Sequence, residues 1–115
     1  MEGTTETILH ENDIVELVTE AVITDAGDFL DLIAGRPYHS FILRKENFCG
    51  DFFRLGSGIA GEILQKVSNY RKRLAIVGDY SGVTSKALKE FIYESNRGRQ
   101  VVFVETVEEA LRLLN

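Results

Sequence analysis

Between Arg73 and Tyr93 the chain reads RLAIVGDYSGVTSKALKEFIY, and few folds accommodate such a stretch. Leu74, Ala75, Ile76 and Val77 form a short continuous apolar run. A run of that length without alternation suits a strand buried on both faces, which is the habit of parallel sheets. Gly78 and Asp79 end it, and Ser81, Gly82, Thr84 and Ser85 make a polar loop rich in N-cap residues. A helix then starts near Ser85, with Ala87, Leu88, Phe91 and Ile92 on one face. A second apolar run, Val101 to Val104, completes a βαβ unit. With Leu74–Val77 as its central strand, such a unit sets a parallel core to which the upstream chain must attach.

With 115 residues there is room for a single domain, residues 1–115, that buries one core without staples. An apolar fraction of 44% and a charged fraction of 27% exclude a disordered or membrane-embedded chain. The net charge of −5 argues against nucleic acid and anionic membranes as partners. One cysteine, Cys49, makes an intrachain disulfide impossible and fits a reducing compartment. The start, MEGTTETILHE, lacks the basic and apolar regions of a signal peptide, and every apolar run is too short to cross a bilayer. A cytoplasmic protein is therefore expected.

Taken in order, Thr4 to Thr19 reads as two strands, with Glu11-Asn12-Asp13 as the turn between them. Thr24 or Asp25 caps a helix whose Ala26, Phe29, Leu30 and Ile33 recur at helical spacing, and Gly35 and Pro37 stop it. Ser40 to Arg44 is a strand. Phe48, Phe52, Phe53 and Leu55 call for burial, but no single period fits them, so Lys45 to Gly56 reads as a loop with a short ordered piece. A helix from Ser57 to about Tyr70 buries Ala60, Ile63, Leu64 and Val67. Asn96 to Gly98 stops the helix that began at Ser85. After the strand Val101–Glu105, Thr106 and Glu109 form a capping box for a last helix, with Val107, Ala110, Leu111 and Leu114 inward. The predicted order is ββαβαβαβα, an α/β mixed sheet of about five strands with about four helices packed on it.

Two stretches carry the candidate sites. Gly56-Ser57-Gly58-Ile59-Ala60-Gly61 is formally G-x-G-x-x-G at a helix start, and Asp79 follows at the end of the next strand. A dinucleotide site uses glycines for close backbone approach, a helix N-terminus for pyrophosphate and a carboxylate for ribose. The strand that should precede the glycines is poor, because Arg54 interrupts it. Asp79, Tyr80, Ser81, Thr84, Ser85 and Lys86 lie beyond the carboxyl end of a strand, where open α/β sheets bind ligands; a hydroxyl-rich capping loop is the plainer reading.

The remaining signals are weaker. Asp25, Asp28 and Asp31 recur every three residues, but acids in a first helical turn are favourable without a metal, and no metal or other cofactor is expected. Lys66, Arg71, Lys72 and Arg73 cluster; complementing a helix C-terminus explains them better than nucleic acid does. His10 and His39 have no Cys or His at ligand spacing. Cys49 has no local catalytic signature, and whether it approaches His39 is not readable from sequence.

Phe52 to Gly78 resembles the core segment of STAS domains, the anti-sigma-factor-antagonist fold, in which a strand leads to a D-S-S-G or D-S-T-G turn, a helix, and a strand ending in V-G. Ser57-Gly58-Ile59, Ile63-Leu64 and Leu74 to Gly78 carry the likeness, while Leu55 stands where the STAS pattern has aspartate. The resemblance implies a STAS-like fold and places Ser57 at the position phosphorylated in antagonists; from the residues alone, a plain N-cap for the helix that follows is the simpler reading of Ser57. Nearly the whole chain also resembles small bacterial proteins grouped as domain of unknown function 4180. That likeness runs through Gly61-Glu62-Ile63-Leu64-Gln65-Lys66, Asn69-Tyr70, Leu74–Asp79, Thr84-Ser85-Lys86 and Phe91–Asn96. It implies a bacterial cytoplasmic protein and brings no activity.

The expected function is a non-enzymatic STAS-like regulatory or protein-interaction module, with a protein partner or a homodimer and with Ser57 as its phosphorylation or anion site. The alternative is a small-molecule or nucleotide-binding protein using Gly56, Gly58, Gly61, Asp79, Ser81, Thr84, Ser85 and Lys86.

Overall fold

The computed structural model describes residues 5–115. Its elements are β1 (Glu6–His10), β2 (Ile14–Val18), α1 (Ala26–Ile33), β3 (Ser40–Arg44), α2 (Ile59–Asn69), β4 (Arg73–Val77), α3 (Lys86–Gly98), β5 (Val101–Val104) and α4 (Val107–Leu114). This is the order ββαβαβαβα read from the sequence; Thr4, included there in the first strand, lies outside the described residues.

The five strands form one sheet in the order β1-β2-β3-β4-β5. β1 is antiparallel to β2, and β2 through β5 are parallel. Every crossover therefore steps one place in the same direction. This corrects one expectation: β3, and not the Leu74–Val77 strand, is the middle of the sheet.

Register sorts the core into two layers. Val15, Phe41, Leu74 and Val101 lie in one row across the sheet, with Leu43, Ile76 and Phe103 in the next. All of them face α1 and α2, and α3 leans Phe91 and Ile92 against the same layer. Three helices thus cover one face. Ile14, Ile42, Ala75, Val77, Val102 and Val104 point the other way, where α4 covers them with Ala110 and Leu114.

The local chemistry explains the element ends. Asp25 caps α1 by accepting from the Asp28 N–H at 2.8 Å, and the Thr24 hydroxyl donates to Asp28 at 2.6 Å. Ser85 and Thr106 cap α3 and α4 in the same way. The capping box of α4 is shifted by one residue, because Glu109 accepts from the N–H of Glu105. Helix α3 runs through Gly98, and the left-handed residue that ends it is Arg99, with φ 62°. Helix α2 starts at Ile59 with Gly58 as its N-cap at φ 81°, so Ser57 sits one residue before the cap that it was expected to form.

Two other readings needed correction. Residues 45–57 hold three short 3₁₀ turns, Lys45–Asn47, Gly50–Phe53 and Leu55–Ser57, in place of a loop with one ordered piece. Ala87 is exposed, because the inner face of α3 is carried by Leu88, Phe91 and Ile92.

Candidate functional site

Parallel strands β3 and β4 end side by side, Arg44 opposite Val77. The residues that follow each of them meet at this carboxyl edge. Lys45 extends from β3 and its ammonium donates to the carbonyl of Asp79 at 2.8 Å. The same ammonium lies 5.2 Å from the centre of the Tyr80 ring and 5.6 Å from that of Phe53. A cation over two aromatic faces is held by their quadrupoles as well as by the hydrogen bond. Tyr80 is fixed in turn: its hydroxyl donates to the Ile76 carbonyl at 2.9 Å. Burial, with the Glu46 charge adding to it, raises the Tyr80 pKa well above the usual phenol range, so the hydroxyl remains a donor.

Asp79 turns back on its own loop. Its carboxylate accepts from the Ser81 N–H at 2.9 Å. Hydrogen bonds from Ser81, with a smaller contribution from the Lys45 charge, hold its pKa below the ordinary carboxylate range. Around this loop lies an open hollow of about 570 Å³ lined by Lys45, Asp79, Ser81, Thr84, Ser85 and Leu88, among others. Lys86, one residue into α3, borders a separate hollow with Glu90 and Tyr93.

Gly78 is what lets Lys45 lie there. A Cβ on Gly78 would come within 2.5 Å of the Lys45 Cβ. Gly78→Ala is therefore expected to push Lys45 off Asp79 and to cost about 1–3 kcal/mol by overpacking. Urea denaturation checks this; an unchanged midpoint would mean that β3 and β4 can separate at this end without loss.

Gly56, Ser57, Gly58 and Gly61 belong to the same edge, since α2 starts from it, but they do not line the hollow at Asp79. No strand leads into them; the 3₁₀ turn Leu55–Ser57 does. Ser57 is exposed. Its hydroxyl donates to the Asp51 carbonyl at 2.6 Å and accepts from the Ile59 N–H at 3.3 Å. Arg54 stands close by, paired with the Asp51 carboxylate at 2.9 Å. Ser57 thus clips the Gly50–Phe53 turn to the start of α2.

The family described as domain of unknown function (DUF4180) matches residues 4–114. The chain belongs to the DUF4180 family. No curated protein and no solved structure matches it.

The DUF4180 chain assigns the other sequence candidates to its scaffold. Lys72 donates to the Tyr38 carbonyl at 2.6 Å. Arg73 spreads its guanidinium over the carbonyls of Arg99, Leu113 and Leu114, tying the ends of α3 and α4 to β4. Arg73 thus does what a cation near helix C-termini was expected to do, whereas Lys72 holds a loop carbonyl ahead of β3 and no helix end. His10 pairs with Glu16 at 3.1 Å. His39 precedes β3 and Cys49 follows it. Five residues of strand, about 16 Å, lie between them, so they do not form a nucleophile–imidazole pair. Asp25 and Asp28 are used at the start of α1. Among the described residues, no three His, Cys, Asp or Glu side chains converge as a metal site requires, and no helix is long and apolar enough to cross a membrane.

Sequence reasoning missed Lys45 and Phe53. The available signal was position: Lys45 is the first residue after a parallel strand, on the edge where such sheets carry their sites.

Proposed function

We propose that this DUF4180 protein is a non-enzymatic, STAS-like interaction module of the bacterial cytoplasm, which meets a protein partner on the edge where α2 and α3 begin and takes a phosphate on Ser57. The observation that carries the reading is the setting of Ser57. It is exposed, one residue before the α2 N-cap, and its hydroxyl holds the preceding turn. A phosphoryl group there would give up the bond to the Asp51 carbonyl. It would gain the free N–H groups of the first turn of α2 and the neighbouring Arg54. That exchange would alter the surface presented between Asp51 and Gly58. The sheet supports contact over enclosure. Open α/β sheets take small ligands where the strand order reverses, and here the parallel strands run in sequence without a reversal.

A second reading, a small anionic ligand, draws on the hollow that Lys45 lines together with Ser81, Thr84 and Ser85. One experiment separates the two. The protein is purified from a bacterial host and its native mass recorded, and a second preparation compares capture by wild type and Ser57→Glu. A phosphate mapped to Ser57, or a stoichiometric protein held by one form and released by the other, is the expected result. A bound small molecule that Lys45→Met loses would replace the interaction reading with the second. An unmodified protein whose capture is the same with and without the substitution would sink the proposed role of Ser57.

A further inference from the structure

The two edges of the sheet are treated differently. β5 closes its outer edge with side chains. Asn96 acts as a surrogate strand, with its amide oxygen accepting from the Phe103 N–H at 2.7 Å and its NH₂ donating to the Phe103 carbonyl at 3.2 Å. Ser95 donates to the Val101 carbonyl, and Glu109 accepts from the Glu105 N–H at 3.1 Å. An edge filled in this way cannot receive another strand.

β1 carries none of these devices. It is the opposite border of the sheet, and no described residue beyond β2 pairs with it. It has no proline and no lysine, and Ile8 and Leu9 are 43% and 65% exposed. Its sequence is Glu6-Thr7-Ile8-Leu9-His10. Laid antiparallel against a copy of itself about Ile8, it is self-complementary. Ile8 meets Ile8, Thr7 meets Leu9, and the Glu6 carboxylate meets the His10 imidazole at both ends. Directly opposed residues in such a pair are the ones that interact. Glu16 already holds His10 Nε2 at 3.1 Å, which orients the ring; Nδ1 serves the carboxylate of the second copy in the form of the ring that carries a proton on both nitrogens.

We infer that the outer edge of β1 is a homodimer interface, in which two copies pair antiparallel about Ile8 and the sheet continues from one into the other. The symmetry is isologous, so the contact closes on itself and does not propagate into fibres. The ladder is only five residues long. An interface this small falls at the weak end of the range, with dissociation in about the micromolar region.

Sedimentation velocity across a concentration series tests this on the full chain. Wild type is expected to pass from monomer to dimer. Ile8→Lys sets two ammonium groups against each other on the axis and is expected to weaken the dimer about tenfold or more. His10→Lys supplies a cation to both Glu16 and the Glu6 of the other copy, and is expected to dimerise at least as well as wild type. Thermal melts show whether each variant folds. Should Ile8→Lys fail to fold, Ile8→Cys in a Cys49→Ser background is oxidised instead. It is expected to cross-link efficiently, while Tyr93→Cys on the exposed face of α3 is not. A wild type that remains monomeric at every concentration, a dimer untouched by Ile8→Lys, or equal cross-linking at both positions overturns the inference.

Discussion

Phe52→Ala is expected to cost about 3–5 kcal/mol, the range for removing a buried aromatic ring, and to lower Tm by roughly 10–20 °C for a domain of this size. The side chain is 1% exposed although it belongs to a 3₁₀ turn and to no strand or helix of the sheet layers. Its ring lies 4.8 Å from those of Phe48 and Phe53 and 6.3 Å from that of Phe103 on β5. Residues 45–49 are tied by Asn47 and by the single Ile23–Phe48 bridge, but the turn that carries Phe52 pairs with no strand, so burial of Phe52 is what fastens it to the sheet. The cavity left by alanine would be walled by β5 on one side and by α2 on the other, and neither can collapse into it without breaking register elsewhere. Urea denaturation measures the loss. A cost under about 1.5 kcal/mol would mean that the segment holds to the sheet by other means. The consequence reaches the candidate site, because Phe53 and the Ser57–Asp51 bond belong to the same turns.

The parts of this fold that were legible in the sequence are those in which periodicity and burial agree. Leu74–Val77 and Val101–Val104 are buried on both faces and read as unbroken apolar runs. The starts of α1, α3 and α4 were legible because each cap is a local event between a side chain and an N–H three residues on. The order of strands in the sheet was not, since position depends on which way each crossover steps, and no residue encodes that alone. The Lys45–Gly56 stretch was opaque for a different reason. Its aromatic residues answer to the sheet below and α2 above, and so follow no period of their own. At the candidate site, the sequence pointed to the loop after β4 and to Ser57. It could not place Lys45 between Tyr80 and Phe53, because that contact joins the ends of two different strands.

Asn47 went unnoticed for the same reason, and its replacement should be the most damaging polar change in the molecule. Asn47→Ala is expected to cost about 2–4 kcal/mol. Only two polar side chains among the described residues are buried, and this is one of them, at 4% exposure. Its NH₂ donates to the carbonyls of Thr19 at 2.9 Å and Ala21 at 3.0 Å, and its amide oxygen accepts from the Arg44 N–H at 3.0 Å. Its backbone carbonyl accepts from Ile23, and Ile23 in turn accepts from Cys49. One side chain thereby joins the exit of β2 to the exit of β3 and supports the bridge between Ile23 and Phe48. Alanine would remove all three bonds; water can reach the Ala21 carbonyl, which lies in an exposed residue, and this keeps the cost below three full penalties. Asn47→Asp is the sharper comparison, because it preserves shape and the acceptor for Arg44 while turning an oxygen toward two carbonyls. At neutral pH it should be at least as harmful as alanine. Its burial disfavours the charged form, so the folded-state pKa of the new carboxyl is raised, and the deficit should shrink as pH falls and a donor is restored. Denaturation of both variants at neutral and acidic pH checks this. An Asn47→Asp protein as stable as wild type at neutral pH would show that the amide does not serve as the donor to Thr19 and Ala21, and that the β2 and β3 exits are held by the Ile23–Phe48 bridge alone.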